Sequence, residues 1–250
     1  MRRPLVVGNW KMHTSLAQAR ALASATAAAA DAVGDAVDVG ICPPYPWLLP
    51  VAEAAGSIVR VGAQDCAPEE RGAFTGDVSA AMLAECCRFT LVGHSERRTY
   101  HHESDPIVRD KLRQALRHGL EVILCVGETF RERESGMAEQ VVARQLDGAL
   151  EDAAGEVAAR LTIAYEPVWA IGTGQAATER DAAQMASFIR GELERRFGTA
   201  ADAVRILYGG SATDRNAPAF LAVPEIDGLL VGSASLDASV FGAMIAAAAD

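Results

Sequence analysis

The sequence predicts an α/β fold, a single closed (β/α)8 barrel spanning residues 1–250. Three observations predict it. Eight short apolar runs alternate with helical stretches along the chain. The runs are mostly apolar throughout rather than at every second residue, as in parallel strands buried on both faces. Polar residues gather at or just past the C-terminal ends of the runs: Asn9, Lys11, His94, Glu166, Ser211 and Gly232 with them. In a closed barrel those ends share one face, where active sites sit. A doubly wound open sheet is the alternative, but no GxGxxG fingerprint follows the first strand.

The elements follow in order. Residues 5–9 form a short apolar strand with a polar end. Residues 15–32 are Ala-rich and helical, with Ser15 as cap. A second strand covers 37–42; Pro43-Pro44 breaks it, and a helix runs on to about 55. A third strand, 59–63, leads into a long polar segment, 64–77, and a helix over 79–86. The fourth strand, 89–92, ends in Gly93-His94-Ser95-Glu96-Arg97-Arg98. A helix over 105–118 stops at Gly119, a C-cap signal. The fifth strand, 121–126, ends in Gly127-Glu128, and 138–150 is helical. The sixth strand, 161–165, is followed by Glu166 and then a helix over 178–197 capped by Thr178. The seventh, 205–208, ends in Gly209-Gly210-Ser211, with a short helix over 215–221. The eighth, 228–231, ends in Gly232-Ser233, and the last helix covers 236–248.

Composition narrows the function classes. Half of the 250 residues are hydrophobic, enough for a large core, and no Pro/Ser-rich linker divides the chain. A formal charge of −10 argues against general nucleic-acid binding, and an anionic ligand would have to be held by local groups. Neither a signal peptide nor a membrane-length apolar run is read, so no membrane partner is expected. The five cysteines are odd in number and form no CxxC pair, which points to a reducing cytoplasm rather than a disulfide framework or a zinc site. Only two residues are lysine, Lys11 and Lys111, against twenty-one arginines among the 23 basic residues. A compact ammonium is not interchangeable with a planar guanidinium at a crowded site.

The stretch 164–174 organises the chemistry. Glu166 follows a buried strand, Pro167 stiffens the exit, and Gly172 and Gly174 close an apolar loop carrying Val168, Trp169 and Ile171. That pattern suits a lid moving as a unit, and water exclusion beneath it would raise the basicity of Glu166. Glu166, His94, Lys11 and Asn9 include no Ser or Cys nucleophile paired with a base. The histidines lack metal-ligand spacing. The set suits proton transfer without a cofactor: Glu166 takes a proton from carbon beside a carbonyl, and His94 and Lys11 stabilise the developing oxyanion. The blander readings are a solvated strand-end Glu, a structural His and an Asn satisfying a turn. Glu96 is expected to partner Lys11 or an Arg, and Arg97 and Arg98 to form ion pairs. Gly209-Gly210-Ser211 and Gly232-Ser233, after the last two strands, match a common barrel phosphate site built from backbone N–H groups, to which Gly172 could add a donor.

With these segments the chain resembles the triosephosphate isomerase family along its whole length. The resemblance is carried by Gly8-Asn9-Trp10-Lys11-Met12, Gly72-Ala73-Phe74-Thr75-Gly76, Val92-Gly93-His94-Ser95-Glu96-Arg97-Arg98, Cys125-Val126-Gly127-Glu128, residues 165–174, Tyr208-Gly209-Gly210-Ser211 and Leu230-Val231-Gly232. It implies interconversion of dihydroxyacetone phosphate and D-glyceraldehyde 3-phosphate in glycolysis and gluconeogenesis on a TIM barrel. It casts Glu166 as base, His94 as neutral electrophile and Lys11 as electrostatic stabiliser. Substrate contacts fall to Asn9, Lys11, Gly172, Ser211, Gly232 and Ser233. Ser95, Glu96, Glu128 and Tyr208 are expected to support them. A helix N-terminus at His94 would disfavour its cation. The resemblance also implies a homodimer in which the loop 64–79, with Thr75 near its tip, reaches the neighbouring site. Ser233 stands where a second Gly is common, Gln175-Ala176 alter the far hinge of the lid, and His101-His102 replace smaller or aromatic residues. The same catalytic set would serve a longer ketose phosphate, such as a four-carbon one. A non-catalytic barrel is a further alternative.

Overall fold

A computed structural model of the protein describes residues 2–171 and 177–249. Eight parallel strands close into a barrel in sequence order: β1 (Leu5–Asn9), β2 (Asp38–Cys42), β3 (Arg60–Ala63), β4 (Phe89–Val92), β5 (Glu121–Val126), β6 (Leu161–Tyr165), β7 (Arg205–Tyr208) and β8 (Gly228–Val231). Closure is made by β8 against β1, with Leu5 opposite Gly228 and Gly8 opposite Val231. The helices between them are α1 (Leu16–Val33), α2 (Leu48–Ala55), α3 (Ala80–Leu83), α4 (Ser95–Tyr100), α5 (Asp105–Arg117), α6 (Phe130–Glu134), α7 (Ala138–Ala149), α8 (Glu179–Phe197), α9 (Ala217–Leu221) and α10 (Ala238–Ala247).

Side chains alternate in and out along each strand. Leu5, Val7, Phe89, Leu91, Ile123, Cys125, Ala164, Leu207 and Leu230 fill the barrel interior. Val6, Val92, Ile163 and Tyr165 point outward into the layer shared with the helices. This parity positions the site. Asn9 continues the inward series of Leu5 and Val7, and Glu166 continues that of Ala164. Phe89 occupies the barrel floor because Gly40 and Gly62 leave room for its ring.

All eight strands stand where the sequence predicts them. The helix ends follow the cap chemistry: Ser15 and Thr178 form capping boxes, so their helices begin one residue later, at Leu16 and Glu179. One expectation needs correction, and two short helices add to the order of elements. The helix read over 79–86 starts at its Ser79 cap but has only one turn, Ala80–Leu83, because residues 84–86 turn so that Cys87 meets the core ahead of β4. The charged run after His94 is itself a helix, α4, and a short helix, α6, follows the Thr129 capping box. In both cases charged residues on exposed faces masked the 3.6-residue apolar period.

Candidate active site

The C-terminal strand ends surround a cavity of about 260 Å3 lined by Asn9, Lys11, His94, Glu166, Ser211 and Gly232, with Ile171, Gly209, Gly210 and Ser233 at its edge. Asn9 and Ser233, 224 positions apart in the chain, thus face one space, as the barrel rule predicts. Gly172 lies outside the described residues, as do Gln175 and Ala176.

Glu166 is almost completely buried, and both of its carboxylate oxygens are engaged. Oε1 lies 3.0 Å from His94 Nε2, and Oε2 accepts the Ser95 N–H at 2.8 Å. Its backbone is set by the flanking strands: Glu166 N–H donates to the Val126 carbonyl at 2.8 Å, and Gly209 N–H to the Tyr165 carbonyl at 2.7 Å. Gly127 and Gly209 wall it in. A Cβ on Gly209 would come 3.0 Å from Glu166 Cγ, and one on Gly127 would overlap the Glu166 carbonyl.

His94 caps α4, and its Nδ1 accepts the Glu96 N–H at 3.2 Å. That bond assigns the imidazole proton to Nε2, which faces Glu166. Burial disfavours the imidazolium most, but the charge and hydrogen bond of Glu166, with the charge of Glu96, together outweigh it, and the net shift of His94 is upward. For Glu166, burial raises the pKa, while His94, the Ser95 N–H and Lys11 together lower it below the usual carboxylate value. Both directions correct the sequence expectations of a depressed His94 and a more basic Glu166. The cause is a contact between two residues 72 apart in the chain, which neither local segment reveals.

Lys11 has a left-handed backbone, φ 49°. Its N–H donates to Asn9 Oδ1 at 3.0 Å, and its Nζ reaches Glu96 Oε1 at 2.6 Å. Glu96 therefore partners Lys11, while Arg97 pairs with Asp65 and Glu103, and Arg98 with Asp105. A Cβ on Gly232 would lie 3.6 Å from Lys11 Cε, which puts the ammonium beside the loop after β8. Ser233 opens a turn of 3-10 helix and is exposed, so its hydroxymethyl group has room.

Glu128 anchors the stretch that follows β6. This carboxylate has no exposed surface and accepts from Tyr165 OH at 3.1 and 3.2 Å, Trp169 Nε1 at 2.8 Å and Arg133 Nη1 at 3.1 Å. Arg133 also stacks on the Trp169 ring, 4.8 Å from its centroid, and pairs with Asp181 in the cap of α8. Tyr208 is buried against Phe220, with ring centroids 3.9 Å apart. Gly210 must lack a side chain there, since a Cβ would meet Tyr208 Cζ at 2.5 Å and Pro167 Cγ at 3.0 Å. Thr75 lies in a run of exposed residues, 71–77, and is not among the residues that line the cavity.

The triosephosphate isomerase family model matches residues 4–248. The chain belongs to the triosephosphate isomerase family. Among curated proteins, triosephosphate isomerase of Moorella thermoacetica is 47% identical over 98% of each chain. That of Stenotrophomonas maltophilia is 49% identical over 100% of this chain and 99% of its own, and that of Thiobacillus denitrificans 48% identical over the whole of both. Membership makes this chain an isomerase on a TIM barrel. No helix among the described residues is long and apolar enough to cross a membrane.

Sequence reasoning missed several residues that shape this isomerase site. Gln64 binds the Lys11 carbonyl, Gly127 abuts the Glu166 backbone, and Gln145 holds Gly127 through both of its backbone groups. Gln64 and Gly127 sit at strand ends, the same signal that exposed Asn9 and Glu166; Gln145, in the middle of α7, carries no such signal.

Proposed function

We propose that this chain interconverts dihydroxyacetone phosphate and D-glyceraldehyde 3-phosphate by proton transfer through an enediolate, serving glycolysis and gluconeogenesis. The observation that carries the reading is the Glu166–His94 contact at one wall of the cavity, with the Lys11 ammonium and the Gly232 loop at the other. A substrate carbonyl oxygen that takes the place of Glu166 Oε1 at His94 Nε2 accepts the imidazole proton's hydrogen bond. The displaced carboxylate is then beside the neighbouring carbon, where it removes a proton and returns it one carbon along, while the hydroxyl proton passes from one substrate oxygen to the other by way of His94 Nε2. Separating the pair also removes the cause of the upward shift of His94, so the ring donates as neutral imidazole with Nδ1 on the Glu96 N–H. Lys11 and His94 stabilise the oxyanion. Backbone N–H groups near Ser211, Gly232 and Ser233 receive the phosphate. The reaction needs no cofactor.

The exposed run 71–77, with Phe74 44% exposed and Thr75 beside it, supports a homodimer in which this loop docks on a second copy. Five free cysteines agree with a cytoplasmic protein. The test is turnover of glyceraldehyde 3-phosphate by purified protein without added metal, beside a four-carbon ketose phosphate. Fast isomerisation of the triose phosphate, lost in Glu166→Gln, is expected. Preference for the four-carbon sugar would move the enzyme to another substrate, and near-normal turnover by Glu166→Gln would sink the mechanism.

A further inference from the structure

Lys11 holds a backbone conformation that residues with a side chain rarely adopt, and such a conformation persists only where its surroundings over-determine it. The surroundings here are specific. On one side Asn9 Oδ1 accepts the Lys11 N–H. On the other, Gln64 Nε2 donates to the Lys11 carbonyl at 2.8 Å and to the Cys42 carbonyl at 2.9 Å. Both hydrogens of the amide nitrogen are used. The Cys42 carbonyl also accepts the N–H of fully buried Trp10 at 3.1 Å. The loop after β1 is therefore tied to the end of β2 by a side chain that comes from the end of β3.

The consequence falls on the ammonium. The lysine stem has four rotatable carbons, and the direction in which it leaves the backbone decides where Nζ arrives. With φ at 49°, Nζ meets Glu96 and lies beside Gly232. Relaxation to the right-handed region would turn the Cα–Cβ bond and carry the charge out of that position. Gln64 itself does not line the cavity. We propose that Gln64 is a positioning residue: its two amide hydrogens hold the Lys11 backbone in the left-handed conformation that aims the ammonium into the substrate pocket. The inference rests on the isomerase reading above.

A double-mutant cycle tests it. Gln64→Met keeps the length of the side chain and removes both donors. In the otherwise unchanged chain, kcat/KM for glyceraldehyde 3-phosphate is expected to fall about tenfold or more, some 1.4 kcal/mol of barrier. In Lys11→Ala, where the ammonium is already gone, the same change is expected to cost less than about threefold. Equal losses in both backgrounds, or no loss in either, overturn the proposal. Gln64→Glu, which points acceptors at the two carbonyls, supplies a second cycle if Gln64→Met does not accumulate as folded protein. The cycle is also read through binding of inorganic phosphate, which needs no turnover: Gln64→Met weakens it, and adding Gln64→Met to Lys11→Ala weakens it no further. Coupled phosphate binding in a chain that isomerises nothing would sink the isomerase reading and leave the positioning role standing.

Discussion

Gly127→Ala tests whether catalysis depends on where the Glu166 backbone lies. An added Cβ would stand 2.6 Å from the Glu166 carbonyl carbon and 3.2 Å from its Cα, and would overlap the carbonyl oxygen. Carbon atoms pack comfortably at about 3.5–4.0 Å, so one backbone must retreat by roughly 1 Å. Gly127 is poorly placed to retreat. Its N–H donates to Gln145 Oε1 at 2.8 Å and its carbonyl accepts from Gln145 Nε2 at 3.1 Å, with Gln145 buried. Gly127 is not among the glycines in the left-handed region, so alanine meets no left-handed backbone penalty and the steric effect dominates. Overpacking of this kind costs about 1–3 kcal/mol of stability. A 1 Å misplacement of a catalytic group costs about a hundredfold in rate. The expected outcome is a folded protein with a lowered melting temperature, kcat reduced about a hundredfold and KM little changed. Initial rates and thermal melting followed by circular dichroism measure both. A Gly127→Ala enzyme with kcat within about threefold of normal would refute the reasoning, whatever its stability.

Glu166→Gln removes what lifts His94, so the imidazole should titrate lower than in the unsubstituted chain; an NMR titration showing an unchanged or higher value contradicts the assigned cause. The paired shifts also fix a stability window. Glu166 lies below its ordinary 4.5, so its share is present above that pH and lost as the pH falls through the lowered value. His94 lies above its ordinary 6.5, so its share is present below that pH and lost as the pH rises through the raised value. The stabilisation of the unsubstituted chain over Glu166→Gln should therefore peak between those limits, and a difference that keeps growing above neutrality would be inconsistent with it. Lys111→Met should cost about 3–5 kcal/mol, read from urea unfolding, because Lys111 Nζ bonds both Asp65 oxygens at 2.8 and 2.7 Å and Glu103 Oε1 at 2.5 Å in a buried pocket. Ser233→Gly should leave kcat/KM within about threefold, since the residue is exposed and its backbone donor is kept; a larger change would assign the hydroxyl a role in the site.

The preference for arginine singled out Lys11, and the structure gives the other lysine an equally particular place. Lys111 sits 3% exposed, with all three ammonium hydrogens on carboxylates, a geometry that a guanidinium would not fit. Both lysines were legible as unusual, but only the fold separated a site residue from a buried ion network. Likewise Glu96 was readable as a partner of Lys11 or of an arginine, and the choice needed the 2.6 Å contact across 85 positions.

The sequence by itself determined the eight strands, their parallel closure, and the residues at their C-terminal ends. Continuous apolar runs, glycine ends and helix caps are local, and closure turns a list of strand ends into one face. Tertiary structure alone decided the contacts among those residues. It brought Glu166 against His94 and so reversed the expected pKa directions. It put Gln64 on the Lys11 carbonyl, Gly127 behind Glu166, and Arg133 between Trp169 and the cap of α8. Charge interaction and steric exclusion depend on distances of a few ångströms between segments far apart in the chain. No periodicity or local spacing encodes such distances until the barrel has closed.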